Sequence, residues 1–341
     1  MRYVYQSSVG GKLYVPMDVD SRLLRGSTPR FAKILTNKYA QMSGQGVEID
    51  LRDNHGRGVS SHYIQDVFSS LGDVLRDREL EWEYALPDFG EQEVSHIGIG
   101  RDGTTTHIVG AGYKETMAGT ISFYNKEGKR LTTIYLGCSP EKKKGTFDGL
   151  FRREIEVVKK HFPDVKYTGI ADGAADNWIF LDPITEVQIQ DFFHVTEYIK
   201  KFADAAYKKA DEGNLFQKEY RAILRDETDG SQQLLTTMKE GILKIKNAAK
   251  IEQAQSAITY IENHKHKMDY AEYKKLGYPI GSGVTEAACK TLVKQRLSQS
   301  GMKWTKGSVD DILLARGLIL SDGRWNQFWN KIDRFGYVNA N

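Results

Sequence analysis

"HIGIGRDGT" (residues 96–104) and "YTGIADGAADNW" (residues 167–178) decide how this chain folds. Each is an apolar, strand-like run that ends in Asp–Gly, at Asp102 and at Asp172. Between them, "GTISFYNKEGKRLTTIYLG" (119–137) reads as two strands joined by a hairpin connection at 125–130. "TFDGLFRREIEVVKKHF" (146–162) reads as a helix, with Phe147, Leu150, Phe151, Ile155, Val158 and Phe162 on one stripe. "EVQIQDFFH" (186–194) reads as a last strand. The expected order is three antiparallel strands, a crossover helix, a strand, a short connection and a parallel strand. That is an α/β fold with a mixed sheet. Right-handed crossovers are short, so the Asp102 and Asp172 strands are expected to be neighbours, with both aspartates at their carboxyl ends.

The rest of the chain divides around this block. Residues 1–90 read as a small helical N-terminal region. Its helices are "STPRFAKILTNKYAQMSG" (27–44) and "VSSHYIQDVFSSLGDVLRDREL" (59–80), linked by "DLRDNHGRG" (50–58). Such a pair can form a DNA-reading helix-turn-helix, although most helix pairs do not bind DNA. Residues 91–195 hold the first part of the core. Residues 196–278 read as an all-α insertion, with stripes such as Val195, Ile199, Phe202 and Ala206, or Ile251, Ala254, Ile258 and Ile261. Residues 279–341 read as C-terminal helices that complete the core.

A third acid opens that last segment, in "PIGSGVTEAACKTLVKQR" (279–296). "GSG" breaks what precedes it, Ser282 or Gly283 can cap a new helix, and Glu286 falls in its first turn. Cys289, Leu292 and Val293 form the buried stripe, which Glu286 borders. Taken singly, an Asp–Gly pair is a turn and a first-turn Glu suits the helix dipole. Taken together, two strand-end aspartates and a helix-borne glutamate suit a divalent-metal site for phosphodiester chemistry. Asp102 is expected to bridge two ions, with Asp172 and Glu286 holding one each. Oxygen ligands suit Mg²⁺, with Mn²⁺ as a substitute. His194 is expected to orient the site without ligating the metal.

Net charge is only +3, so it does not by itself argue for nucleic acid. Its distribution says more. Lys290, Lys294, Arg296, Lys303 and Lys306 follow Glu286 with no further acid up to residue 307. Lys290, Lys294, Arg296 and Lys303 are expected to meet DNA phosphates, and Trp304 to stack on an unpaired base. Hydrophobic content of 40% supports a sizeable core. Two cysteines, Cys138 and Cys289, without a CxxC pair exclude a zinc finger or a disulfide framework. No signal pattern and no apolar run of membrane-spanning length is present, so a soluble, cytoplasmic protein is expected.

"GIADGAADNWIFL" (169–181) with "QIQDFFHVTEYIKKFA" (188–203), and "YPIGSGVTEAACKTLVKQRLSQSGMKWT" (278–305), resemble the DDE transposases of bacterial insertion sequences. The resemblance is to the Kra-type group, distantly similar to Mutator-like transposases, and covers roughly residues 90–330. It implies an RNase H-like catalytic core interrupted by an all-α insertion. It also implies catalytic roles for Asp102, Asp172 and Glu286, and matches Asp191 and His194 to a conserved-looking Asp-x-x-His element. Double-stranded DNA would be the partner, and joining two ends would need at least a dimer. The competing expectations are an inactive, domesticated DNA-binding descendant and an RNase H-like host nuclease.

Overall fold

A computed structural model describes residues 3–11, 13–78 and 81–337. Its centre is a five-stranded mixed sheet in the order β3-β2-β1-β4-β5. The strands are β1 (His96–Ile108), β2 (Gly112–Tyr124), β3 (Arg130–Cys138), β4 (Lys166–Ala171) and β5 (Val187–Gln190). β1 pairs antiparallel with β2 and β2 with β3, whereas β4 runs parallel to β1 and β5 parallel to β4. The chain is therefore α/β, with the antiparallel and parallel pairs in the places expected.

Four helices precede the sheet: α1 (Pro16–Asp20), α2 (Pro29–Gln41), α3 (Gly44–His55) and α4 (Ser61–Arg78). Thr28 caps α2 by accepting from Phe31 N–H, and Pro29 occupies its first turn. The linker expected at 50–58 is helical as far as His55. Ser43 caps that extra helix, and Gly56 ends it in the left-handed region (φ 60°). The final residues of the second expected N-terminal helix, 79–80, and the chain's last four, 338–341, lie outside the described residues.

α5 (Gly145–His161) crosses from β3 to β4, and α6 (Ala175–Leu181) follows β4. Period-two alternation decides what each face of the sheet buries. Ile97 and Ile99 of β1 meet Phe147, Phe151 and Ile155 of α5 and Phe180 of α6. The opposite face of β1 carries His96, Gly98, Gly100 and Asp102. Beyond β5 come α7 (Phe192–Ala206), α8 (Ala210–Asp226), α9 (Gly230–Ile242), α10 (Ala248–His264) and α11 (Tyr270–Lys275). They enclose a core of their own around Val195, Ile199, Phe202, Leu234, Met238 and Ile258.

The chain then returns to the sheet as one nearly continuous helical rod. It consists of α12 (Gly283–Ala288), a π-helical stretch (Cys289–Lys294) and α13 (Gln295–Leu297). α14 (Lys306–Leu320) and α15 (Arg324–Phe335) follow. Leu292, Val293, Ile312 and Leu313 share one core with Leu35, Ile64 and Leu71 of the N-terminal helices. Among the described residues, no helix is long and apolar enough to cross a membrane.

Three strands differ from their sequence reading. β1 does not stop at Asp102 but runs on to Ile108, and β2 begins at Gly112, so the pair projects as a hairpin past the parallel strands. The continuing "TTTHI" and "YKETM" segments are β-prone by their threonines and aromatic, a signal the Asp–Gly pair masked. β5 ends at Gln190. Asp191 instead caps α7, accepting from His194 N–H at 2.9 Å.

Candidate active site

Register places the two aspartates. β1 and β4 pair from His96 with Lys166 to Gly100 with Ile170, a constant offset of 70 residues. The same offset sets Asp102 opposite Asp172, just beyond the last paired residues. Both are even-numbered like Gly98, Gly100, Thr168 and Ile170, so they share a face. Asp102 is thus a mid-strand residue of β1, but it stands where the parallel pairing ends.

The third acid is brought to that face by close helix–sheet contact. Thr285 Oγ1 lies 2.8 Å from Thr120 Oγ1 of β2. A Cβ built on Gly100 would sit 2.0 Å from Thr285 Oγ1, so only glycine lets α12 come this near. Glu286, the next residue, is exposed beside the inner strands β1 and β2. Asp102, Asp172, Asp191, His194, Ser282 and Glu286 all line one cleft of about 280 Å³.

Each carboxylate is partly tied down. Asp102 Oδ1 accepts from Gly103 N–H at 2.7 Å, and Cys289 Sγ lies 3.5 Å from Oδ2. Asp172 Oδ1 accepts from Ala174 N–H and Asn177 Nδ2, both at 3.1 Å. Glu286 Oε1 accepts from Ser282 Oγ at 2.7 Å. Ser282 also donates its N–H to Asp191 Oδ2 at 2.7 Å, and its hydroxyl contacts the same oxygen. One hydroxyl proton thus serves two carboxylates. Ser282 precedes α12 as expected, but its side chain is committed to Asp191 and Glu286 instead of the helix N–H groups.

Burial raises the Asp102 carboxyl above its usual range, and the charges of Asp172 and Glu286 raise it further. Arg101 offers no relief. Its guanidinium turns to the other face, 2.8 Å from Asp148 and 3.4 Å from Asp176. Burial, then the neighbouring Asp102 charge, drives the Cys289 thiol well above its ordinary value, so it stays a protonated donor. Among the described residues, no three His, Cys, Asp or Glu side chains stand close enough to form a ready metal shell. Asp102 and Asp172 are each held by their own neighbours, whereas Glu286 shares the Ser282 hydroxyl with Asp191.

His194 does reach the cleft, from the first turn of α7 instead of a strand end. Its Nδ1 lies 3.4 Å from Glu197 Oε2, and its ring packs edge-on near Tyr198 and Tyr260. Asp191 and His194 therefore face the same cleft, because the strand-to-helix change at Gln190 cancels the alternation that would have opposed them. Asp191 is fully buried and acts as a clasp between α7 and the 281–283 turn.

Of the expected DNA contacts, Lys290, Lys294 and Lys303 are exposed. Arg296 and Trp304 are not. Arg296 is 1% exposed, its Nε donates to Tyr39 O at 3.0 Å, and its guanidinium lies 4.7 Å from the Trp304 ring. Trp304 is buried, and its indole N–H donates to Leu297 O at 3.0 Å. Arg296 follows Cys289 by seven residues, Leu292 by four and Val293 by three, so it lies on their buried stripe, off the Lys290–Lys294 face. Trp304 is held under the β1–β2 hairpin, where its carbonyl accepts from Val109 N–H.

Asn177, Gln190 and Tyr260 were not singled out by sequence, and Ser282 only as a helix cap. Gln190 Nε2 donates to Asp172 O at 2.9 Å and contacts Tyr260 Oη at 2.6 Å, tying the Asp172 turn to the insertion. Only Asn177 carried a local signal, in the spacing of "DGAADN". The others depend on long-range packing. No protein-family model matches this chain, and neither does any curated protein.

Proposed function

We propose that this protein is a divalent-metal-dependent DNA transposase of the DDE type, built on an RNase H-like core. The observation that carries the reading is the meeting of Asp102, Asp172 and Glu286 in one cleft. They come from β1, the turn after β4 and α12, at an edge fixed by strand register. The order β3-β2-β1-β4-β5, with β1 to β3 antiparallel and β4 and β5 parallel, supports the core assignment. The helical insertion before the glutamate supports the transposase assignment.

The residues fit a hard divalent cation. Their donors are carboxylate oxygens, and burial, then the charges of Asp172 and Glu286, already raises the Asp102 carboxyl. Asp102, Asp172 and Glu286 would hold Mg²⁺, or Mn²⁺ in its place. When bound, such ions stabilise the attacking and leaving oxygens of an in-line displacement at phosphorus. Gly103 and Asn177 orient the two aspartates toward the cleft. Ser282 shares its proton between Asp191 and Glu286, so Glu286 can turn away without stranding a buried donor. Lys290 and Lys294, exposed beside Glu286, carry the DNA backbone past the cleft. The exposed faces of α3 and α4 carry Asp53, Asp66, Asp73 and Asp77, so the phosphate contacts are assigned to the lysine face.

The test is Mg²⁺- or Mn²⁺-dependent nicking and strand transfer with DNA from the flanks of the gene. Asp102→Asn, Asp172→Asn and Glu286→Gln should each abolish both reactions while DNA binding persists. Metal-dependent turnover that survives all three substitutions would refute the proposal.

A further inference from the structure

The lining of the cleft includes one exposed aromatic ring, that of Phe193, beside His194. Phe193 is 61% exposed, whereas its neighbour Phe192 is 6% exposed and packs in the insertion core. A single exposed aromatic is ordinary on a protein surface. Three features set Phe193 apart. It lines the same cleft as Asp102, Asp172 and Glu286. Its ring is braced by the 281–283 turn, where a Cβ on Gly281 would lie 2.9 Å from Phe193 Cδ2 and Cε2. Behind it, His194 lies edge-on to Tyr198 and Tyr260, which stack on each other with centroids 3.5 Å apart.

We infer that Phe193 is a nucleobase platform: an unpaired base beside the phosphate held at the carboxylates stacks on this ring. The inference rests on the reading of the cleft as a DNA-cleaving site and specifies the state of its substrate. In a duplex both faces of every base are already stacked, so the ring can be used only by a base that has left the helix. Stacking is tolerant of base identity because every base presents a π-face, so the platform would favour an opened strand, not a sequence. A rigid ring held against a glycine turn makes this contact with little loss of side-chain freedom. Trp304, the aromatic that the sequence pointed to, is buried and cannot do it.

The test compares two DNA probes, with Ca²⁺ in place of Mg²⁺ so that binding is read without turnover. One is a fully paired duplex. The other is the same duplex with a short mismatched bubble carrying 2-aminopurine. Wild-type protein should bind the bubble more tightly and quench its fluorescence. Phe193→Ala should weaken bubble binding roughly ten-fold, near the low end for one lost base stack, with duplex affinity unchanged. Phe193→Trp should restore affinity and quenching, which a folding defect at this exposed position would not allow. Equal, unquenched binding of both probes by wild type, or full quenching by Phe193→Ala, overturns the platform and leaves the DNA reading standing. Wild type that binds neither probe overturns both.

Discussion

At the residue scale, the charged form of Asp102 works against the fold that holds it. Asp102 is half-buried, lacks a cationic partner and faces two further carboxylates. A carboxyl raised in the folded state contributes stability below its unfolded pKa and loses it as pH rises toward the folded value. Asp102→Asn removes the charge and keeps the shape, so at neutral pH without metal it should raise Tm by a few degrees; a lower Tm would contradict this. His96 behaves in the opposite sense. It is buried, neither ring nitrogen has a hydrogen-bond partner, and it stacks on Tyr124. Burial pushes its imidazole down to about 4 from 6.5. Between these values the unfolded chain binds the extra proton, so stability falls as pH drops from 6.5 to 4, by about 3 kcal/mol. Urea denaturation across that window should show the loss in wild type and a flatter profile in His96→Phe. The Asp–Gly steps were legible because they are local. The orphaned His96 was not, since nothing in "SHIGIG" says that both ring nitrogens are buried.

At the element scale, the rod from Gly283 to Leu297, with its π-helical stretch, matters most. Such a stretch leaves carbonyls without their usual partners. Arg316 of α14 supplies donors: its Nε bonds Leu292 O at 2.8 Å, one Nη contacts Thr291 O, and the other bonds Ala40 O at 2.8 Å. Burial lowers its guanidinium to about 10, which still leaves it charged at neutral pH. Arg316→Met would strand three buried carbonyls and should cost on the order of 3 kcal/mol or more in urea denaturation. A loss under 1 kcal/mol would show that the rod holds itself. Gly100→Ala attacks the same element from the sheet side. The added methyl displaces Thr285, so cleavage should fall at least ten-fold while the far-ultraviolet circular dichroism is retained. Sequence periodicity found Cys289, Leu292 and Val293 on the buried stripe. Arg296, seven residues on from Cys289 and four from Leu292, falls on that same stripe; its charge set it among the DNA contacts, and the structure buries it. Lys290 and Lys294, both within the stretch, keep their exposed face. Replacing both with Ala should lower the slope of log affinity against log salt by about two.

At the scale of the whole molecule, the order of the strands and of the longer helices could be read directly from hydrophobic period, whereas α3 and α6 were read as connections. What each element packs against could not be read. The first ninety residues read as a separable region, yet α2 and α4 bury Leu35, Ile64, Val67 and Leu71 in one core with Val309, Ile312 and Leu313 of α14. The contact is close enough that a Cβ on Gly72 of α4 would meet Asp311 Cγ at 2.2 Å. Arg296 and Arg316 add polar fasteners to the carbonyls of Tyr39 and Ala40 at the end of α2. Those two arginines belong to the rod of Glu286 and to α14, so the N-terminal helices brace the element that carries the third acid. A chain starting near residue 91 would expose Ile312 and Leu313 and leave both guanidinium groups buried without part of their partners. Expressed alone, residues 91–341 should be insoluble or unfolded, and supplying residues 1–90 as a separate chain should recover soluble complex. A monodisperse, cooperatively melting 91–341 fragment with full metal-dependent cleavage would show instead that the sheet and rod stand without this support.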